Sequence, residues 1–410
     1  MRIAFAGAVG GFIGLVALYS WHTATATLVS HIIVESTKYG MTVIPLFVFM
    51  GYLGFYSGLG EEIYRAGRAW FGKLPGGLAI GTVFGCAGFG AISGSSTAAV
   101  AMFGRMSVPE MDRYNYHRRL SVGTIAASGT LATLIPPSTT VVIYGLLAEQ
   151  SIGKLLIAGF LPGIVSAIIY GLMIYFRAVL NPKLGPPGPS SSLKEKFISL
   201  RSLWAVVAIM LVILGGLYTG VFTPTEAGGF GAFAMFILVL IRRMLTWEKL
   251  KAALLEATRV SCMIFIVIIG VRIFMTLLVA SGVTGALVKA VLTLPVPAEV
   301  MLLGILVVYV IFGCFIGVIG MLVTTIPFVY PVILGLGFNP IWFGIIVIKL
   351  CEVAMITPPV GINVFVASKV IGEPVENCFR GVIPFFFMDL LTIGVLIAFP
   401  QIILFLPNLM

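Results

Sequence analysis

The sequence predicts an all-α polytopic membrane protein made of two inverted-topology repeats, with two re-entrant helical hairpins and two broken helices. Three observations predict it. Of 410 residues, 60% are hydrophobic and 10% charged, whereas soluble chains carry roughly 25% charged residues. Apolar runs long enough to span a bilayer recur from end to end, for example at 155–176, 203–222 and 381–406. One pattern also occurs twice, about 222 residues apart, centred on Ile135-Pro136-Pro137-Ser138 and on Thr357-Pro358-Pro359-Val360. The same offset relates Glu35-Ser36-Thr37-Lys38 to Glu256-Ala257-Thr258-Arg259, and Gly159 and Pro162 to Gly381 and Pro384. A β-barrel would show short alternating segments, and these runs are continuous.

In chain order, residues 1–180 form repeat 1, with a hairpin over 78–104 and a broken helix over 121–147. Residues 181–201 are rich in Pro, Gly and Ser and carry four basic residues, which predicts a solvated cytoplasmic linker. Repeat 2 fills 202–410, with an amphipathic interfacial arm helix over 242–259, a hairpin over 300–328 and a broken helix over 341–370. The counterpart of the span at 203–222 would fall before residue 1. The first repeat is therefore expected to lack its opening helix, through shortening of the chain at its N-terminus.

The net charge is +10, and its placement sets the topology. Lys and Arg cluster at 65–73, 105–119, 177–201 and 242–259, between apolar runs. If each long run crosses once and both hairpins re-enter, roughly 20 of the 25 Lys and Arg fall on the cytoplasmic side, as the positive-inside rule requires. The two repeats then face opposite ways and the C-terminus is periplasmic. A full crossing by either hairpin would send the following clusters outside. Short basic clusters between spans orient helices in a lipid bilayer, and nucleic acid is not expected as a partner. The five cysteines lie in or beside apolar segments without paired spacing, so neither a disulfide framework nor a transition-metal site is expected.

The most distinctive stretch is Gly85–Gly104, with Ser93-Gly94-Ser95-Ser96-Thr97 at its centre. Non-helical backbone at membrane depth survives only where it lines a cavity or is buried in protein. Exposed carbonyls there are hard ligands suited to Na⁺, and neighbouring half-helix N-termini offer donors to an anion. The competing explanation is close helix packing through small residues. Each Pro-Pro pair breaks its helix and frees carbonyls, those of Ala132 and Ile135 in one copy and of Ala354 and Thr357 in the other. Ser138 and Asn363 place polar side chains just beyond the breaks. In the second hairpin, Gly317 and Gly320 supply backbone with fewer hydroxyls nearby.

Ionisable residues within apolar segments are few: Glu226, Arg272, Lys349, Glu352 and Asp389. Such residues are functional candidates because an unpaired charge there is costly. Lys349 and Glu352 stand at i, i+3 and read as a pair on one helix face. Glu226 reads as a cap, a hinge or a ligand. Arg105 and Arg272 either meet an acidic substrate or snorkel to the interface. No catalytic residue is expected, because a membrane serine hydrolase needs a His base and no histidine lies in a later apolar run.

The chain resembles the large membrane subunit of the tripartite ATP-independent periplasmic (TRAP) transporters. The resemblance rests on residues 89–111 (FGAISGSSTAAVAMFGRMSVPEM), 129–145 (GTLATLIPPSTTVVIYG), 216–232 (GLYTGVFTPTEAGGFGA) and 356–372 (ITPPVGINVFVASKVIG), in family order along nearly the whole chain. Ala132 departs from the Gly often found in the family. The resemblance implies an elevator, in which a scaffold stays put while a transport domain of hairpins and broken helices moves. It implies Na⁺ as coupling ion with no organic cofactor, and a bacterial inner-membrane location. Its implied partners are a periplasmic substrate-binding protein, a separate small four-helix membrane subunit and a small organic acid such as sialic acid or a C4-dicarboxylate. By motif match, one Na⁺ site falls at Ser93, Ser95, Ala132, Ile135 and Pro136, and a second at Gly317, Gly320, Ala354, Thr357 and Pro358. The acid is expected between the hairpin tips, with Gly94, Ser96, Thr97, Ser138 and Asn363 in contact. The alternative is a stand-alone Na⁺/carboxylate elevator symporter that needs no binding protein.

Overall fold

The computed structural model describes residues 2–410, and every regular element among them is helical. The first half runs α1 (Arg2–Leu18), α2 (Trp21–Thr37), α3 (Val43–Ser57), α4 (Leu59–Phe71), α5 (Gly77–Ser93), α6 (Ser96–Arg113), α7 (Arg118–Ser128), α8 (Thr139–Leu147) and α9 (Ile152–Leu180). The second half runs α10 (Leu193–Tyr218), α11 (Pro224–Ile241), α12 (Trp247–Ala280), α13 (Val283–Leu292), α14 (Ala298–Phe315), α15 (Val318–Gly335), α16 (Pro340–Ile356), α17 (Ile362–Ile371), α18 (Val375–Ala398) and α19 (Gln401–Asn408). Seven helical segments among the described residues are long and apolar enough to cross a membrane.

The sequence offset maps α1 onto α11, α2 with α3 onto α12, α4 onto α13, α5–α6 onto α14–α15, α7–α8 onto α16–α17, and α9 onto α18. The packing is reciprocal. α1 lies on α12 and α11 on α3, while α6 lies on α17 and α15 on α8. Each repeat therefore completes the other. Small residues permit the closest of these crossings: a Cβ on Gly270 would stand 2.3 Å from Ala4 O. α10 has no counterpart among the described residues of the first repeat.

Four expected segments differ in extent: the hairpins expected to end at 104 and 328 continue as helix to Arg113 and Gly335, and the arm and the linker also change. The arm expected at 242–259 begins at Trp247 and continues unbroken to Ala280. No Gly or Pro interrupts Trp247–Arg259, so the amphipathic turns propagate straight into the apolar span. The linker expected at 181–201 turns helical at Leu193, where Ser192 and Glu195 form a capping box. Its remainder is strapped onto the first hairpin's base: Gly76 N donates to Gly185 O and Gly188 N to Gly72 O, both at 2.8 Å. Tyr116 ties the same base by accepting from Leu78 N at 3.1 Å, and burial pushes its phenol up to about 12.

Both hairpins turn within two residues. Gly94 sits at φ +54, a conformation L side chains rarely adopt, and Ser95 caps α6 by accepting from Ala98 N. The second turn passes through Ile316 and Gly317 in extended conformations. The broken helices are interrupted where the Pro pairs predict. α7 tightens into a 3₁₀ turn at Gly129–Thr133 before Pro136-Pro137, and α16 stops at Ile356 before Pro358-Pro359. Both Pro-Pro peptide bonds are cis.

Candidate functional site

The hairpin tips of the two repeats face one cavity of about 410 Å³. Ser93–Ala98 line it from the first repeat and Gly317–Gly320 from the second. The first break contributes Thr133, Thr139, Thr140 and Ile143, and the second contributes Met355 and Ile362. The remaining wall is Val48, Gly51, Tyr52 and Phe55 of α3 with Val260 and Met263 of α12. No Lys, Arg, His, Asp or Glu is among the described residues lining it.

Polarity in this cavity comes from helix ends. Four helices begin there: α6 at Ser96, α8 at Thr139, α15 at Val318 and α17 at Ile362. N-terminal turns carry unsatisfied N–H groups and the positive end of the helix dipole, so four of them around one space favour an anion. Three C-terminal ends meet the same space, α5 at Ser93, the 3₁₀ turn at Thr133 and α16 near Met355, and these present carbonyl oxygens.

Each hairpin packs on its own break. A Cβ on Gly94 would lie 2.4 Å from Pro137 O, and one on Gly51 of α3 would lie 2.4 Å from Ser93 O. Gly90 of α5 likewise meets Ala132, so the first hairpin touches its break at Ala132 and Pro137, with Ser95 N donating to Ser93 Oγ at 3.4 Å. Of the residues expected at the first Na⁺ site, Ser93 and Ser95 line the cavity and Ala132, Ile135 and Pro136 do not. In the second repeat, Val360 N donates to Cys314 O at 3.2 Å, tying that hairpin to the Pro358 break. Gly317 O already accepts from Met321 N, Gly320 O from Thr324 Oγ1, and Thr357 O from Gly361 N. The Gly317 and Thr357 carbonyls each keep a second lone pair for a ligand, whereas Gly320 O, inside α15, also accepts its helical bond from Thr324.

Of the expected substrate contacts, Gly94, Ser96 and Thr97 line the cavity, while Ser138 and Asn363 do not. The Ser138 hydroxyl donates to Thr133 O and accepts from Val141 N, which caps α8. Asn363 is fully buried, and its Nδ2 donates to Ser96 Oγ at 2.6 Å and to Ala126 O at 3.1 Å. It cross-links α17 to both α6 and α7. Glu226 forms a capping box with Thr223 at the start of α11. Arg272 stands away from the cavity, where it pairs with Glu149 at 2.9 Å and donates to Leu146 O at 2.8 Å.

Lys349 and Glu352 do pair, at 2.5 Å, within a larger cluster. Lys349 also meets Asp389 of α18 at 2.7 Å, and Tyr170 of α9 donates to the same Asp389 oxygen at 2.6 Å. Thr133 donates to Glu352 at 3.2 Å, so the cluster reaches a residue of the cavity wall. Sequence reasoning did not reach the Asp389 and Tyr170 partners, nor the aromatic wall of α3. Long-range pairs across separate helices leave no periodic signal.

Residues 1–402 match the family model described as tripartite ATP-independent periplasmic transporter, DctM component. The chain is 34% identical over 375 residues to the C4-dicarboxylate TRAP transporter large permease protein DctM of Pseudomonas aeruginosa, covering 91% of this chain and 87% of that one. It is 29% identical over 373 residues to the sialic acid TRAP transporter large permease protein SiaM of Vibrio cholerae, again covering 91% and 87%. Both relatives are transport permeases and not enzymes. The fold is similar to the solved Alcanivorax borkumensis YdaH transporter, with a TM-score of 0.65, 14% identity, and coverage of 93% of this chain and 90% of that one.

Proposed function

We propose that this chain, which belongs to the TRAP transporter family as its DctM component, is the large membrane subunit of a Na⁺-coupled importer of an organic acid. The observation that carries this reading is the set of four helix N-termini around an uncharged cavity, contributed equally by the two repeats. A carboxylate is held there by backbone donors and by the hydroxyls of Ser96 and Thr97. Donors fixed in place cost no reorganisation when the anion arrives.

Na⁺ occupies two sites in this reading, one at Ser93, Ser95, Ala132, Ile135 and Pro136 and one at Gly317, Gly320, Ala354, Thr357 and Pro358. Each joins a hairpin tip to its own break, so the ion fixes the tip geometry that the anion needs. Binding of cation and anion is thereby coupled. The hairpins and broken helices move as the transport domain against a scaffold that includes α3 and α12, which wall the cavity on the opposite side. Both hairpins re-enter on their own side, because a full crossing would place basic clusters outside. The non-helical linker after Asn181 is then cytoplasmic and the C-terminus periplasmic.

The partners are a periplasmic binding protein that delivers the acid and a small membrane subunit beside the scaffold. The relatives named above for C4-dicarboxylates and sialic acid set the first substrates to try. The test is uptake into proteoliposomes across a panel of such acids, with and without the binding protein and with Na⁺ replaced by K⁺. Uptake that needs both Na⁺ and the binding protein is expected. Uptake indifferent to Na⁺ removes the coupling, and uptake without the binding protein favours a stand-alone symporter.

A further inference from the structure

A second cavity, of about 590 Å³, adjoins the first, and Phe55 lines both. Two helix faces run from one into the other. On α6, Ala98 lines the central cavity, and Ala101, Met102 and Arg105 line the second, at the i, i+3, i+4, i+7 spacing of one helix face. On α3, Val48, Tyr52 and Phe55 line the first, and Phe55 and Tyr56 the second. The Phe55 and Tyr56 rings meet edge to face at 5.1 Å, with Tyr52 and Tyr56 stacked at 6.3 Å. An aromatic trio therefore stands at the junction of the two spaces.

The second cavity holds the charges that the first lacks. Glu62 is matched by Arg242 at 2.6 Å, and Glu61 faces Arg65 at 3.8 Å. Arg105 has no hydrogen bond or ion pair among the described residues. Lys249 uses one donor, toward Met244 O at 3.1 Å, and keeps two. Two cations without a matching carboxylate thus remain at the end of a passage that starts in the uncharged cavity. Arg105 lies seven residues beyond Ala98, about 10 Å along the helix.

We propose that this second cavity is an anion-binding site on the cytoplasmic side, where Arg105, assisted by Lys249, receives a carboxylate that has passed Phe55. The inference rests on the transport reading above for its direction, and on the cavity's own charges for its chemistry. A guanidinium with free N–H groups binds a carboxylate bidentately. The site is open to solvent, so its affinity is weak and salt-sensitive, as release into the cytoplasm requires.

The test has two arms. In the first, thermal unfolding of the purified full chain is followed against succinate in Na⁺-free, low-salt buffer, where the Na⁺-dependent central site is silent. Succinate stabilises the wild type; Arg105→Gln raises the half-saturating concentration about five-fold or more, and Arg105→Lys, which keeps the charge but not the bidentate fork, recovers only part of it. No stabilisation of the wild type, or equal half-saturation in Arg105→Gln, overturns the site whether or not the protein transports. In the second, exchange from preloaded proteoliposomes is measured against internal acid. Arg105→Gln raises the internal half-saturating concentration and leaves the external one unchanged. Equal shifts on both sides, or none, overturn the passage. A wild type that does not transport at all defeats the transport reading, and the succinate arm still decides the site.

Discussion

Gly90 and Ala132 approach so closely that a Cβ on the glycine would lie 2.7 Å from Ala132 Cα. Gly313 stands in the matching relation to Ala354 in the second repeat, but there the nearest atom is Ala354 Cβ, at 2.8 Å. Both contacts press the first helix of a hairpin onto its own break. Gly90→Ala and Gly313→Ala are each expected to destabilise by about 1–3 kcal/mol through overpacking. Rescue should differ. Ala354→Gly removes the atom that a new Cβ at 313 would strike, so the pair Gly313→Ala/Ala354→Gly regains stability. Ala132→Gly leaves the Cα in place, so Gly90→Ala/Ala132→Gly does not. Thermal melts of the six variants check this, and equal rescue in the two repeats would contradict the packing.

The Na⁺ reading has its own variant. Ser93→Ala combined with Ser95→Ala removes the only side-chain oxygens assigned to the first ion. The half-saturating Na⁺ for uptake is expected to rise about thirty-fold or more, two lost ligands being worth on the order of 2–4 kcal/mol together. Ser95 also caps α6 through Ala98 N at 3.4 Å, so Ser95→Ala alone lowers stability by up to about 1 kcal/mol. Uptake that keeps its Na⁺ dependence in the double variant would move the ion elsewhere.

Arg272 separates a buried charge from an exposed one. It lies 3.6 Å from Glu35, which is 5% exposed, and 2.9 Å from Glu149, which is 70% exposed. Glu149→Gln is expected to cost less than about 1 kcal/mol, as exposed pairs do. Arg272→Met also removes the bond to Leu146 O and strips Glu35 of one of its two cations, Lys38 being the other at 2.5 Å. It should cost about 2–4 kcal/mol. Chemical or thermal unfolding of the two variants, side by side, gives the comparison.

Much of this architecture could be read from the chain. Pro136-Pro137 and Pro358-Pro359 marked both breaks because two successive prolines remove two backbone donors from one turn, whereas single prolines such as Pro162 and Pro384 stay inside α9 and α18. Gly94 marked the first hairpin tip for the complementary reason. Ends of charged segments were harder: Trp247–Arg259 reads as a separate interfacial helix by its charges, yet nothing in it stops α12. Ser138 and Asn363 show a second limit. A polar side chain beside a break is equally suited to a ligand and to orphaned backbone, and here both bond backbone. Asp389 lies on a different helix from Lys349, and only the fold brings them to 2.7 Å.

That pair supports the last expectation. Lys349, Glu352 and Asp389 are all 0% exposed, and one ammonium serves two carboxyl groups. Lys349→Met leaves both acids without a cation in a dry interior, at an expected cost of about 3–5 kcal/mol, enough to abolish folding in a marginal protein. Tyr170→Phe removes one hydrogen bond to Asp389 and should cost about 1–2 kcal/mol. The triple variant Lys349→Met/Glu352→Leu/Asp389→Leu removes the charges together, and it should be more stable than Lys349→Met alone because no unpaired charge is left. Its yield and melting point test the energetics, and its uptake tests the role. The cluster touches Thr133 in the cavity wall and ties α16 to α9 and α18, so a folded triple variant should still transport more slowly than the wild type. Full activity would reduce the cluster to a packing element.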